Sequence, residues 1–190
     1  LGDVYKRQVV SAKTGTLNVP VVDPNLDPEI IACSETQERF CVVVPENHAQ
    51  AICDIFNEKK PSFVVHTGDI TLPKSLRMFS RLEMPLIGVF GNNDVEEIGS
   101  LLIEAKKLDF KFYNEPYFFE INNLKIAITH HPDLISEEMT KKMDYIFHGH
   151  THRYRSEIIN KALIFNPGEC AGFLKGKNQV GLINTIKKES

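Results

Sequence analysis

With 190 residues, 42% of them hydrophobic and 25% charged, the chain has the size and composition of one globular domain with its own core. A formal net charge of -3 gives no electrostatic reason to expect general nucleic-acid binding or an anionic membrane surface, and no apolar run reaches bilayer length. The four cysteines, Cys33, Cys41, Cys53 and Cys170, form no Cys-x-x-Cys pair, so neither a disulfide framework nor a thiolate zinc site is expected and the chain reads as cytoplasmic.

Residues 1–40 hold loop signals such as Thr14-Gly15-Thr16 and Asp23-Pro24, and read as an atypical segment, disordered or foreign to the rest. Residues 41–190 read as one layered α/β domain. Phe40 to Val44 is a candidate strand. A helix is expected from about Glu46 to Lys59, with Ala51, Ile52, Ile55 and Phe56 on its buried face and Pro61 beyond its end. Ser62 to His66 predicts a strand running into Thr67-Gly68-Asp69. A helix over roughly Lys74 to Arg81 follows, then a strand from Leu86 to Phe90 that leads into Gly91-Asn92-Asn93-Asp94. Glu96 to Lys107 has helical spacing at Ile98, Leu101, Leu102 and Ala105. Tyr117 to Ile121 and Leu124 to Thr129 predict a hairpin about Asn122-Asn123, ending in His130-His131-Pro132. A short helix over Ser136 to Lys142 precedes a strand, Tyr145 to Phe147, that ends in His148-Gly149-His150-Thr151-His152. A second hairpin, Ile158-Ile159 with Ala162 to Phe165, precedes Asn166-Pro167-Gly168. Phe110, Phe112, Phe118 and Phe119 read as core packing, His66 as a core histidine, and His131 as a solvent-facing neighbour of His130.

One regularity stands out. Four predicted strands run into polar residues able to bind a metal: Asp69, Asn92, His130, and His150 with His152. Ligands in open α/β sheets bind beyond the carboxyl ends of strands, and rigid strands can aim residues distant in sequence at one point. Mixed oxygen and nitrogen donors suit Mn, Fe, Co, Ni or Zn better than Ca or Mg.

The Gly68-Asp69, Gly91-Asn92-Asn93-Asp94, Thr129-His130 and Gly149-His150-Thr151-His152 motifs, with Asn166-Pro167-Gly168-Glu169 downstream, resemble those of the calcineurin-like metallophosphoesterases, especially their small YfcE-like phosphodiesterase branch. The resemblance covers roughly residues 46–187 in the family's order. It implies a four-layer α/β/β/α sandwich with two mixed sheets, and hydrolysis of phosphodiesters or activated phosphomonoesters by a hydroxide bridging two divalent transition metals. Manganese is the expected metal, with Ni, Fe, Co or Zn as alternatives. By the same resemblance Asp69 is the bridging ligand, Asn92, His130 and His150 complete one metal site, and His152 belongs to the other. Asn92, Asn93, Asp94 and Asp69 form the catalytic group, and Asn92, Asn93 and His130 meet the substrate. Asn93 stands where many members carry a His that protonates the leaving group, which an amide cannot do. Asp94 is expected to orient the turn. A phosphate ester is the expected partner, no membrane is, and a homo-oligomer is compatible with the sequence.

The chain departs from the family at its first strand, which normally ends in Asp-x-His and completes the second metal site. Cys41-Val42-Val43 occupies that place. Glu46 and His48 have the right spacing for surrogates, but are read as first-turn residues of the helix. The departure leaves the second metal in doubt, and sustains a second reading of the same fold as a scaffold without catalysis, like the small retromer subunit, or as a fragment with an incomplete site.

Overall fold

The computed structural model describes the backbone of residues 4–5, 46–170 and 179–183, and side chains within 52–170 and 179–183. A short strand, β1 (Val4–Tyr5), pairs antiparallel with β10 (Val180–Gly181). Along α1 (Glu46–Lys59), Ile52, Ile55 and Phe56 recur at helical spacing and turn one face inward. Lys60 then takes a left-handed φ of 48° while its N–H still donates to the Phe56 carbonyl at 2.8 Å, and Pro61 ends the helix.

The strands β2 (Val64–His66), β3 (Leu86–Val89) and β4 (Lys111–Tyr113) form a parallel sheet in that order. The crossovers that parallel strands require carry α2 (Pro73–Arg77) and α3 (Ile98–Lys107). Phe56 from α1 and Leu101 and Ala105 from α3 pack with Val64, Leu86 and Phe112 in one apolar cluster.

A second sheet is mixed, in the order β5 (Tyr117–Ile121), β6 (Leu124–Ile128), β7 (Tyr145–Phe147), β9 (Ala162–Asn166), β8 (Arg155–Ile159). Its three central strands, β6, β7 and β9, are parallel, and the outer two are antiparallel to their neighbours. Helix α4 (Glu137–Lys142), capped by Ser136 accepting from the Met139 N–H at 3.2 Å, packs Met139 against Ala127, Ile146 and Ile164. The alternate buried residues Ile126, Ile128 and Phe165 line the other face, where Phe119 meets Phe63 edge to face at 5.7 Å. The result is the expected α/β/β/α layering, although among the described residues only the second sheet is mixed and the first is parallel throughout.

The differences from expectation are local. The second helix closes at Arg77, and Asn92–Glu97 is a 3₁₀ segment that delays α3 to Ile98. Leu102 is exposed, because it falls outside the buried stripe of α3, which is Leu101, Glu104 and Ala105. Phe118 is also exposed: it lies on the edge strand β5, one position out of phase with the inward-facing Phe119. Strand β4 was not expected, since its Lys-Phe-Tyr has only one buried residue. The candidate strand Phe40 to Val44 lies outside the described residues.

Candidate metal centre

Asp69, Asn92, His130 and His150 converge from four strand ends. Strands β2 and β3 of one sheet and β6 and β7 of the other all deliver a polar residue at their carboxyl ends. Backbone pairing continues beyond the strands proper: Thr129 N–H donates to Phe147 O at 2.9 Å, and Gly149 N–H to His130 O at 3.1 Å. His130 and His150 are thereby fixed on neighbouring, hydrogen-bonded extensions.

His130 is the hub. It is 2% exposed, and its Nδ1 lies 2.8 Å from the Thr67 carbonyl across the gap between the sheets. A carbonyl only accepts, so Nδ1 carries a hydrogen and Nε2 is turned into the site. Around Nε2 stand Asn92 Oδ1 at 3.0 Å, His150 Nδ1 at 3.2 Å and Asp69 Oδ2 at 3.3 Å.

Asp69 is held from two sides. The Asn93 N–H donates to its Oδ1 at 3.0 Å, and the Asn93 amide to its Oδ2 at 2.9 Å. Burial works to raise the Asp69 pKa, but the hydrogen bonds from His130 and Asn93 overcome it and keep the carboxyl below its ordinary value. Burial likewise disfavours charge on His130, and the adjacent Asp69 carboxylate outweighs it and raises the pKa. His150 is pushed down by desolvation and by His131 and His130 beside it.

The backbone is built for this convergence. Asp69, His150 and His152 take left-handed φ values of 59°, 63° and 55°, and Thr71 takes 67°. Such conformations are costly for residues with side chains and persist where surrounding contacts over-determine them. Gly68, at φ 101°, could not carry a side chain: a Cβ there would lie 2.6 Å from His130 Nδ1.

Asp94 is fully buried and stands behind the centre. Its Oδ2 accepts from Asp69 N–H at 2.9 Å and Gly91 N–H at 2.7 Å, and its Oδ1 from Thr71 N–H at 2.7 Å. It therefore ties the loop after β2 to the loop after β3. His152 stands apart from His130, with its Nδ1 3.1 Å from Glu169 Oε2. Asn166, fully buried at the end of β9, donates to Gly149 O at 3.1 Å and Thr151 Oγ1 at 3.2 Å, and so braces the loop that carries both histidines.

The donor set fits a divalent cation. With Nδ1 of His130 occupied, Nε2 presents a lone pair to an amide oxygen, a carboxylate oxygen and a second imidazole nitrogen. These groups repel unless a positive charge lies among them. Ligand atoms about 2.0–2.2 Å from a tetrahedral ion are roughly 3.3–3.6 Å apart, close to the separations of 3.0–3.3 Å from His130 Nε2. His66, by contrast, is spent structurally: its Nδ1 accepts from Gly68 N–H at 3.2 Å and its ring packs on Phe79 and Phe112.

Two features lie beyond the sequence reading. Glu115 reaches up from the loop before β5 and gathers the backbone of His130 and His131 and the Thr129 hydroxyl on one oxygen. A single acid ahead of Pro116 carries no motif that would reveal this. His131 is not a solvent-facing bystander: it is half-buried, with Nδ1 2.6 Å from Glu115 Oε1. The Cys41-Val42-Val43 position and the side chains of Glu46 and His48 lie outside the described residues.

Comparison with known proteins accords with this geometry. The calcineurin-like phosphoesterase superfamily domain matches residues 45–189. The C-terminal domain of AIR synthase related protein matches residues 7–72, so the two overlap on 45–72. Phosphodiesterase MJ0936 of Methanocaldococcus jannaschii is 34% identical over 140 residues, which is 72% of this chain and 84% of that protein. The phosphoribosylformylglycinamidine synthase subunit PurL of Saccharolobus islandicus is 25% identical over 163 residues, or 81% of this chain, which spans only 20% of PurL. Among solved structures, an archaeal phosphodiesterase superposes with a TM-score of 0.60 at 29% identity, covering 70% of this chain and 90% of that one. The phosphoesterase match begins after Cys41-Val42-Val43, which lies within the residues matched by the AIR synthase related domain. From residue 45 onward, the agreement of a family match with a relative identical at 34% of positions shows that the chain belongs to the calcineurin-like phosphoesterase superfamily.

Proposed function

We propose that this chain hydrolyses phosphodiesters, or phosphomonoesters with a good leaving group, at a divalent metal centre held by Asp69, Asn92, His130 and His150. The observation that carries this reading is the trio of Asp69 Oδ2, Asn92 Oδ1 and His150 Nδ1 within 3.3 Å of His130 Nε2. A bound divalent ion supplies positive charge against the phosphoryl group and makes water an effective nucleophile near neutral pH. Manganese is the ion to test first, with nickel, iron, cobalt and zinc as alternatives. His152, with Glu169 beside its Nδ1, offers its other ring nitrogen to a second ion.

The chain's own residues then divide the work. His130 keeps its Nδ1–H on the Thr67 carbonyl, which fixes the tautomer that leaves Nε2 for the centre. Asn93 orients both oxygens of Asp69 and supplies no proton, so turnover depends on a leaving group that departs readily. Asn92, Asn93 and His130 line the place where the phosphoryl oxygens would sit. The relative MJ0936 is named a phosphodiesterase, which supports the diester over the monoester as substrate. Free Cys53 and Cys170 are in keeping with a reducing cytoplasm.

The test is hydrolysis of bis-p-nitrophenyl phosphate by the chelator-treated chain with and without added manganese. Manganese should restore turnover, and Asp69→Ala should lower it by about 100-fold or more. Turnover that survives both chelation and Asp69→Ala would sink the reading.

A further inference from the structure

A third imidazole stands beside His130 and His150. His131 follows His130 directly, just before the 3₁₀ turn Pro132–Leu134, yet the two side chains do not diverge. Ring centroids lie 4.8 Å apart for His130 and His131, 5.1 Å for His130 and His150, and 4.4 Å for His131 and His150. One ring nitrogen from each of the three lies within 4.8 Å of the others.

The surroundings of His131 are those of a ligand. Histidines that bind metal almost always donate their second ring N–H to a carboxylate or a carbonyl, which fixes ring and tautomer. His130 does this through the Thr67 carbonyl at 2.8 Å, and His131 through Glu115 Oε1 at 2.6 Å. Glu115 is itself immobilised, because its other oxygen accepts from Thr129 Oγ1 at 2.7 Å, from His131 N–H at 2.8 Å and from His130 N–H. An ordinary surface pair has no need of that support. It fixes His131 with its Nε2 as the lone-pair nitrogen, beside two other imidazoles.

We propose that His131 is an additional metal ligand, positioned by Glu115, which makes the centre a three-imidazole site. The inference rests on the metal-centre reading above and adds a ligand to it. Added nitrogen donors favour cobalt, nickel and zinc over manganese or magnesium. The chain therefore binds the nitrogen-seeking ions more tightly than an otherwise equal site without His131.

The test is metal binding by the full chain, stripped with a chelator and then titrated with cobalt, zinc and manganese. Cobalt is followed by its visible d–d absorption, zinc by competition with cobalt, and manganese by its electron paramagnetic resonance signal. His131→Ala should weaken cobalt and zinc by about 10–100-fold, change the cobalt spectrum, and affect manganese by a smaller factor. His131→Gln, which keeps a donor for Glu115, should show the same loss and decides the matter if circular dichroism shows the alanine variant unfolded. If both variants keep the wild-type spectrum and affinities while Asp69→Ala loses metal, His131 is not a ligand although the centre stands. If the wild-type chain binds none of the three ions, or Asp69→Ala binds them equally well, the metal-centre reading fails and this inference with it.

Discussion

Asp94 is fully buried, and its carboxylate is held by three backbone N–H groups from two loops. Removing it strands donors that water cannot reach, so Asp94→Ala should cost about 2–4 kcal/mol in urea unfolding and weaken metal binding through Asp69. Asp94→Asn should also destabilise, because one oxygen becomes an amino group facing an N–H donor. Gly91 poses the steric version of the same demand: a Cβ there would sit 2.6 Å from Asp69 N and closer still to its carboxylate. Gly91→Ala should therefore displace Asp69 and lower metal affinity by about 10-fold or more, read by cobalt titration. Glu115 gives a pH signature. Burial works to raise its pKa, but hydrogen bonds from His131, Thr129 and the backbone hold it below the ordinary carboxylate value. A depressed folded-state pKa contributes stability that is complete above the unfolded value of about 4.3 and is lost as pH falls through the folded one. The stability gap between wild type and Glu115→Gln should be widest near neutral pH and narrow below about pH 4. A gap that stays constant across that range would show that the carboxylate charge plays no part.

At the scale of elements, the most legible parts were those with a local signal. Ser136 was placed at the start of a helix, and its hydroxyl does cap α4, so Ser136→Ala should cost about 1 kcal/mol in the same unfolding measurement. Asn122-Asn123 marked a hairpin, and both residues take the left-handed φ values, 50° and 64°, that a tight hairpin turn demands. The cluster of Asp69, Asn92, His130 and His150 was legible because a polar residue recurs at each carboxyl end. Thr67, Glu115 and the placement of His131 were not. Each acts through a contact between segments distant in sequence, such as Glu115 with Thr129 and Thr67 with His130, and no periodicity encodes such a contact. Strand β4 escaped for a related reason: three residues with one inward side chain are held by pairing to β3 rather than by their own pattern.

For the molecule as a whole, the centre lies across the boundary between two separately paired sheets. Asp69 and Asn92 extend from β2 and β3, and His130 and His150 from β6 and β7. The links across this edge include the His130 Nδ1 contact with Thr67 O and the His130 approaches to Asp69 and Asn92. A cation ligated from both sheets adds a cross-link that exists only in the folded state, so its binding free energy is added to the stability of the fold. At free metal 100 times the dissociation constant this amounts to about 2.7 kcal/mol, which for a chain of this size corresponds to a rise of about 5–10 °C in Tm. Thermal unfolding followed by circular dichroism, with and without saturating cobalt or manganese, should show that rise, and Asp69→Ala should abolish it. His152→Ala should retain most of it, because His152 pairs with Glu169 and lies outside the cluster around His130 Nε2. If His152→Ala lost the shift and Asp69→Ala kept it, the stabilising ion would sit at His152 and Glu169, and the bridge between the sheets would have to be abandoned.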